Sequence, residues 1–356
     1  MERVRGANRA RKGIRTMRSI LSGLRRRLGP AWRRLPPVAR LLTERDLASR
    51  ELAAARADVD DLRAAATEAG ALRRRITELE AGQLFPPGHF YSPVGDPVWL
   101  AEHARPLASA NPATLAGIDL RVDAQLERLG ALAPFIAEIP FGDEPMGGLR
   151  YGFANDQYGH GDASLLYGML RLLRPARYVE VGSGWSSALA LDVNATCFGQ
   201  TMSLTFIEPF PDRLEARLRP EDRDAVTLHR CGVQDIDLDV FAALEPGDIC
   251  FIDSTHVAKA GSDVNLLVFE VLPRIAAGVY VHLHDIAWPF EYPEEWLREG
   301  RNWNEAYLLR AYLAENPHYQ IELWNSFLMR NWPEALLAAA PLSARNAGAS
   351  LWLRRI

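Results

Sequence analysis

The sequence predicts an α/β fold: a seven-stranded, largely parallel sheet with helices on both faces, entered through a long helix. Three observations carry that prediction. Short apolar runs alternate with helical stretches through the second half of the chain, the pattern that builds parallel sheets from strand–helix–strand units. The first run, residues 178–181, passes directly into a glycine turn, Gly182-Ser-Gly184, that opens a helix. Residues 41–80 are rich in Ala, Glu, Arg and Leu, with no proline and one glycine, Gly70.

Taken from the start, the first forty residues carry 13 basic side chains and one acid, Glu2, although the whole chain has a net charge of −4. Residues 1–40 therefore read as a basic, unstructured tail on an acidic body. Arg25, Arg26, Arg27, Arg33 and Arg34 lie among Ile20, Leu21, Leu24, Leu28 and Trp32, a mixture suited to an anionic membrane surface or polymer. Nothing in it resembles a sequence-reading nucleic-acid module. The tail lacks the compact apolar region of a secretory signal, and no run reaches the roughly 18–20 apolar residues of a membrane span. A cytoplasmic protein is expected, peripheral at the inner membrane surface if the tail binds there. Cys197, Cys231 and Cys250 have no metal-ligand spacing and read as reduced thiols.

Residues 41–82 should form a long helix. Leu41, Ala48, Leu52, Ala55, Val59, Leu62, Ala66, Ala69 and Ile76 follow a three–four spacing, interrupted by Arg45 and Arg73. That narrow seam suits a coiled coil joining copies of the chain into a homo-oligomer, against the plainer reading of a charged spacer. Phe85-Pro-Pro-Gly88 stops the helix. Residues 83–148 mix aromatics, prolines and short helical pieces, such as 112–129, and read as a cap leading into a main domain at 149–356.

Strands are expected at 178–181, 204–207, 226–228, 249–252 and 279–283, with two more at 319–328 and 350–354. Helices are expected at 165–173, 186–194, 211–218, 238–244 and 264–272. The chain stops directly after the last strand, so no further domain is expected at that end.

Open parallel sheets bind ligands beyond the carboxyl ends of their strands, and the polar residues here cluster at those ends. Gly182 and Gly184 allow close approach of a ligand to the backbone, with Ser183, Trp185 and Ser186 beside them. Glu180 stands two residues before the first glycine, and Ser187 occupies the place of the third glycine in a dinucleotide fingerprint. Glu208 ends the second strand, 26 residues after Gly182, where a carboxylate can accept from ribose hydroxyls. Gln234 and Asp235 follow the third strand and are candidates to hold an adenine ring. Asp253 and His256, three apart after the fourth strand, can face one cleft, and His256 is the candidate general base. Lys259, one of only two lysines beside 39 arginines, is the reserve base. The fifth strand ends in Val281-His-Leu-His-Asp285. His282 reads as a core residue, and Asp285 either shares a divalent metal with Asp253 or orients histidines. Trp288, Tyr292, Trp303, Asn304 and Glu305 are placed to line an acceptor pocket.

Residues from about 150 to 356 resemble a bacterial class I S-adenosylmethionine-dependent methyltransferase, of the group resembling small-molecule and sugar O-methyltransferases. The resemblance rests on Glu180-Val-Gly-Ser-Gly184, Ile207-Glu-Pro209, Phe251-Ile-Asp-Ser-Thr-His256 and Leu283-His-Asp-Ile286, with Asn155-Asp-Gln-Tyr158 and Arg301-Asn-Trp-Asn-Glu-Ala-Tyr307. It implies a Rossmann-like seven-stranded methyltransferase sheet, S-adenosylmethionine as cofactor and a small-molecule or saccharide acceptor. An acid at 180 suits a cationic ligand better than a pyrophosphate. In catechol-type relatives an aspartate after the fourth strand binds magnesium, a lysine three residues on is the base, and an asparagine follows the second metal aspartate. Here the positions hold Asp253, His256 and, after Asp285, Ile286, which keeps the base and weakens the magnesium. Two other readings compete. A nicotinamide-dependent sugar oxidoreductase is disfavoured by Glu180, Ser187 and the lack of a Tyr-x-x-x-Lys pair. A non-catalytic assembly protein would leave function to the coiled coil and tail.

Overall fold

The computed structural model describes residues 19–356 apart from residues 21, 24, 28, 35, 82, 83 and 224. Contacts divide the chain into two units, Met1–Pro86 and Pro87–Ile356. In the first, residues 19, 20, 22, 23 and 25–27 are helical, and a short 3-10 segment, Gly29–Arg34, precedes a single long helix, α1 (Pro36–Ala81), so the described part of the tail expected to be unstructured over 1–40 is helical. The helix begins ahead of residue 41 because Pro36 and Pro37 fit its first positions, where a missing N–H leaves no bond unmade. None of its described residues is buried. The expected basic tail lies outside the described residues over 1–18.

The second unit opens with α2 (Pro97–Ala108), α3 (Val122–Ile136) and α4 (His160–Leu173). Asp96 caps α2 by accepting a hydrogen bond from the Val98 amide at 2.8 Å. The helix expected at 112–129 forms later, as α3, after a short bridge between Leu115 and Ile118. α3 is tied to the sheet. Arg121 and Arg128 reach the buried Glu322 at 3.0 and 2.5 Å, and the Gln125 side-chain Oε1 accepts from the Trp324 amide.

The sheet follows as β1 (Arg177–Val181), β2 (Ser203–Ile207), β3 (Val226–His229), β4 (Ile249–Ile252), β5 (Tyr280–Leu283), β6 (Tyr319–Trp324) and β7 (Leu351–Arg355). Their order is β3-β2-β1-β4-β5-β7-β6, parallel except for β7, which runs against both neighbours. Between strands lie α5 (Trp185–Cys197), α6 (Asp212–Glu215), α7 (Asp239–Ala242), α8 (Asp263–Leu266), α9 (Glu294–Glu299), α10 (Glu305–Leu313), α11 (Asn325–Asn331) and α12 (Pro333–Ala339). Every residue of β4 and β5 is buried, as central parallel strands covered on both faces require.

Three expected helices are shorter than their apolar patterns: only 212–215, 239–242 and 263–266 are α-helical. After α8 the chain tightens and widens through Leu267–Val271 and a 3-10 turn, Leu272–Arg274, because Pro273 cannot donate the next helical bond. The strand expected at 319–328 ends at Trp324, and the rest is α11. Buried Asn325 causes the break: its side-chain amide donates to Asp162 at 2.7 Å and to the Ala347 carbonyl at 2.8 Å.

Register positions the site. Val181 pairs with Ile207 on one side and Ile252 on the other, and Ile252 pairs with Leu283. The next residues along these four strands, Glu208, Gly182, Asp253 and His284, therefore emerge at one edge of the sheet.

Candidate active site

Backbone hydrogen bonds fix that edge: Gly182 to the Ile207 carbonyl at 3.0 Å, Asp253 to Val181 at 2.9 Å, and His284 to Ile252 at 2.9 Å. Gly182 has φ +84°, and a Cβ there would lie 1.8 Å from the Asp253 carbonyl oxygen, so only glycine fits. The Ser183 amide donates to one oxygen of Glu208 at 3.1 Å, and the Phe210 amide to the other at 2.8 Å. Gly184 donates to Ser187 Oγ at 3.0 Å and leads into α5. Beneath the turn Glu180 is fully buried and accepts from Ser186 Oγ, while its second oxygen has no partner. Burial pushes the Glu180 carboxyl up to about 8, although Ser186 and Ser187 favour its ionised form.

Beside the turn, two imidazoles interleave with four carboxylates. His256 Nδ1 lies 2.8 Å from Glu305, and its Nε2 lies 3.4 Å from Asp253 and 3.7 Å from Asp285. His284 Nδ1 lies 3.5 Å from Asp253 and 3.6 Å from Asp285, with its Nε2 3.5 Å from Asp162. The amides of Asn304 and Glu305 hold the His256 carbonyl at 3.0 and 3.1 Å, and the Trp303 ring sits 4.4 Å from the imidazole. Burial opposes charge on both imidazoles and on Asp162, Asp253 and Asp285. For His256, Asp253 and Glu305 outweigh it and raise the ring to about 10; for His284, the surrounding aspartates raise it well above the ordinary value. The imidazoles in turn hold Asp253 well below the usual carboxylate range, whereas burial leaves Asp285 raised.

Two cavities meet at this cluster. The smaller, about 310 Å³, runs along Gly182–Ser186, Glu208 and Asp253–His256. The larger, about 940 Å³, is walled by Trp288, Tyr292, Trp296 and several arginines. Gln157, His284 and Asp285 line both.

Of the residues singled out in the sequence, Gly182, Ser183, Gly184, Trp185, Ser186, Glu208, Asp253, His256 and Asp285 come together on the smaller cavity. Glu180 supports the turn from below and does not line the cavity. Gln234 and Asp235 are exposed and off its walls; the Gln234 amide instead donates to the Gly261 carbonyl at 3.0 Å. Lys259 is exposed, outside both cavities, on a turn whose amide donates to Ser262 Oγ. Trp288 and Tyr292 line the larger cavity, Trp303 the smaller, and Asn304 holds the His256 turn by accepting from the Ala258 amide. Sequence reasoning missed Asp162 and Arg213, and placed His284 at the strand end without giving it a role. Asp162 sits in the first turn of α4, where an acid ordinarily reads as helix-end electrostatics. Arg213, within the short α6, had no signal among 39 arginines.

The residues present fit the cofactor that the glycine turn suggests: a close-approach glycine, the buried Ser183 Oγ without a partner, and Glu208 with lone pairs to spare. They do not fit magnesium, which takes an octahedron of hard oxygen ligands. Imidazole nitrogens of His256 and His284 stand 3.4–3.7 Å from the Asp253 and Asp285 carboxylates, and no ligand set of three or more His, Cys, Asp or Glu occurs among the described residues.

Comparison with known proteins agrees with this geometry. Residues 179–286 match the family model described as a methyltransferase domain. A relative from Archaeoglobus fulgidus, described as an uncharacterized protein, is 31% identical over 176 residues, which cover 49% of this chain and 79% of the relative. Weak structural likenesses include CmcI (22% identity, 54% of this chain and 70% of that one, TM-score 0.33). TomG, an O-methyltransferase from Streptomyces achromogenes, is 17% identical over 65% of this chain and 89% of its own, with TM-score 0.33. Scores this low carry no argument; the family match, the relative and the sheet order do. The chain belongs to the class I S-adenosylmethionine-dependent methyltransferases.

Proposed function

We propose that this protein transfers a methyl group from S-adenosylmethionine to a hydroxyl of a small ring-bearing acceptor, such as a saccharide. The observation that carries this reading is the pair of cavities sharing Gln157, His284 and Asp285 on their walls. One chamber suits the cofactor and the other the acceptor, and Trp288, Tyr292 and Trp296 offer flat faces to a ring.

Gly182, Ser183, Glu208 and Asp253 would hold the cofactor, with Glu208 accepting from its ribose hydroxyls. Arg213, on the same cavity, matches the carboxylate of its amino-acid end. When bound, S-adenosylmethionine supplies an electrophilic methyl group on a positively charged sulfur. The chain's own contribution is alignment and proton removal. His256 is the base. With Glu305 accepting from Nδ1–H, the tautomer is set so that Nε2 faces Asp253 and Asp285 and can take the acceptor's proton. Asp285, at the junction of the chambers, orients the acceptor. The basic residues ahead of α1 are a candidate contact for an anionic membrane surface or polymer, and α1 is a candidate for self-association. Among the described residues no helix is long and apolar enough to cross a membrane.

Calorimetric titration of the full chain with S-adenosylhomocysteine tests the cofactor site, with NADH as the control ligand. Binding is expected for the first and absent for the second, and Glu208→Ala should weaken it at least about tenfold, the effect of about 1.4 kcal/mol. Binding of NADH, or no binding by a folded chain, removes the proposal. With binding in hand, labelled methyl transfer to a panel of saccharides and phenols, with and without magnesium, identifies the acceptor class.

A further inference from the structure

α1 spans 46 residues, and none of those described is buried. Nine of its apolar residues nonetheless keep a heptad order, while Leu42, Leu47, Leu72, Leu79 and several alanines lie outside it. Leu52, Val59 and Ala66 recur every seven residues, and Leu41, Ala48, Ala55, Leu62, Ala69 and Ile76 recur every seven in a second row. The rows are the a and d positions of a heptad, with Arg45 and Arg73 at two further a positions. A repeat of seven, maintained over five heptads, marks a seam for another helix and not the broader stripe of a helix packed on a core.

We propose that α1 pairs with α1 of a second copy of this chain in a parallel, in-register, two-stranded coiled coil. Orientation follows from the charges flanking the seam. Over the first half of the seam the g positions, just before a, carry Glu44, Glu51 and Asp58, and the e positions, just after d, carry Ser49, Arg56 and Arg63; the later g and e positions, Ala65, Leu72, Gly70 and Thr77, are uncharged. In a parallel pair each g faces the e five residues later on the other helix. Glu51 then meets Arg56 of the partner subunit, and Asp58 meets Arg63 of the partner subunit, each twice by symmetry. In an antiparallel pair the acidic rows would face each other and so would the arginines. Glu51, Arg56 and Asp58 have no ion-pair partner among the described residues, so the single chain leaves these charges unused. Strand number follows from Arg45: beside a two-stranded seam its long side chain can leave the core toward Glu44 of the partner subunit, an exit that a third helix would close. Alanine at 48, 55, 66 and 69 lets the helices approach closely. Parallel pairing brings the carboxyl ends of both helices together.

Sedimentation equilibrium of the full chain tests self-association, and a dimer at micromolar concentration is expected. Leu52→Asp with Leu62→Asp should yield monomers that bind S-adenosylhomocysteine as the parent does, and Glu51→Arg with Asp58→Arg should raise the dimer dissociation constant at least about tenfold. A monomeric parent, a larger assembly, or a dimer indifferent to the paired leucine substitutions overturns the proposal. Ala48→Cys, in a chain with Cys197→Ser and Cys231→Ser, reports orientation. Mild oxidation should join residue 48 to its counterpart in the partner, and a dimer that fails to cross-link there overturns the parallel register.

Discussion

Burial alone would keep the His256 ring neutral, yet Asp253 and Glu305 outweigh it and raise its pKa to about 10. The imidazolium is then the dominant form below that value, and the neutral, proton-accepting form grows about tenfold for each pH unit gained through the neutral range. If His256 is the base, turnover should climb with pH from 7 toward 9. Glu305→Gln, which keeps the contact but removes a negative charge, should move that limb to lower pH, and His256→Gln should abolish it. A profile flat between pH 7 and 9 in the parent would remove the base role. The sign for stability is the same: the contribution of charged His256 is complete below its unfolded value and is lost as pH rises toward 10. Part of this was legible in the sequence, since Asp253 and His256 stand three apart on one turn. The Glu305 partnership was not, because it spans 49 residues. Nor was the left-handed backbone at His256 and Asp285, φ +61° and +57°, which aims both side chains. Lys259 misled for a physical reason: scarcity says nothing about direction, and its turn sends it to solvent.

Strand ends were readable because a buried run must stop where polar side chains begin, so Glu208, Asp253 and Asp285 marked one edge of the sheet before any register was known. Helix and strand were harder to separate where an apolar run fits either period, as Phe327 and Leu328 do beyond β6. Interelement clamps left no sequence pattern at all. Buried Arg150, ahead of α4, grips Asp192 on α5 at 2.7 Å and Asp222 at 2.5 Å, and the amides of Arg150 and Tyr151 add two bonds to Asp192. Both carboxylates are 1% exposed, so losing the guanidinium would leave two uncompensated buried charges. Arg150→Ala should cost about 3–5 kcal/mol, measured by urea unfolding of the full chain. Exposed Arg298→Ala, which breaks an i,i+4 pair with Glu294, should cost well under about 1 kcal/mol. Equal losses at the two positions would mean that the clamp contributes no more than a surface ion pair.

Across the whole molecule, charge and burial divide at nearly the same place. The basic stretch and the unburied helix precede residue 87, and no described residue before Ala104 is buried. The core cluster begins at Leu115 and runs to Leu353, drawing α3 and α4 against the sheet that carries the site. The apolar burial that stabilises Pro87–Ile356 is drawn from its own residues, Ala104 onward, so its stability should owe little to the chain ahead of it. Expressed alone, residues 87–356 should melt within about 2 °C of the full chain, since a change well below 1 kcal/mol moves a domain of this size no further. They should also bind S-adenosylhomocysteine with unchanged affinity. A drop of more than about 5 °C, or lost binding, would show that the first unit supports the second despite its exposure. The same fragment separates two ideas that share one chain: cofactor binding belongs to the sheet, and self-association belongs to α1. A fragment that binds the cofactor yet sediments as a monomer at concentrations where the parent is dimeric would assign each property to its own unit.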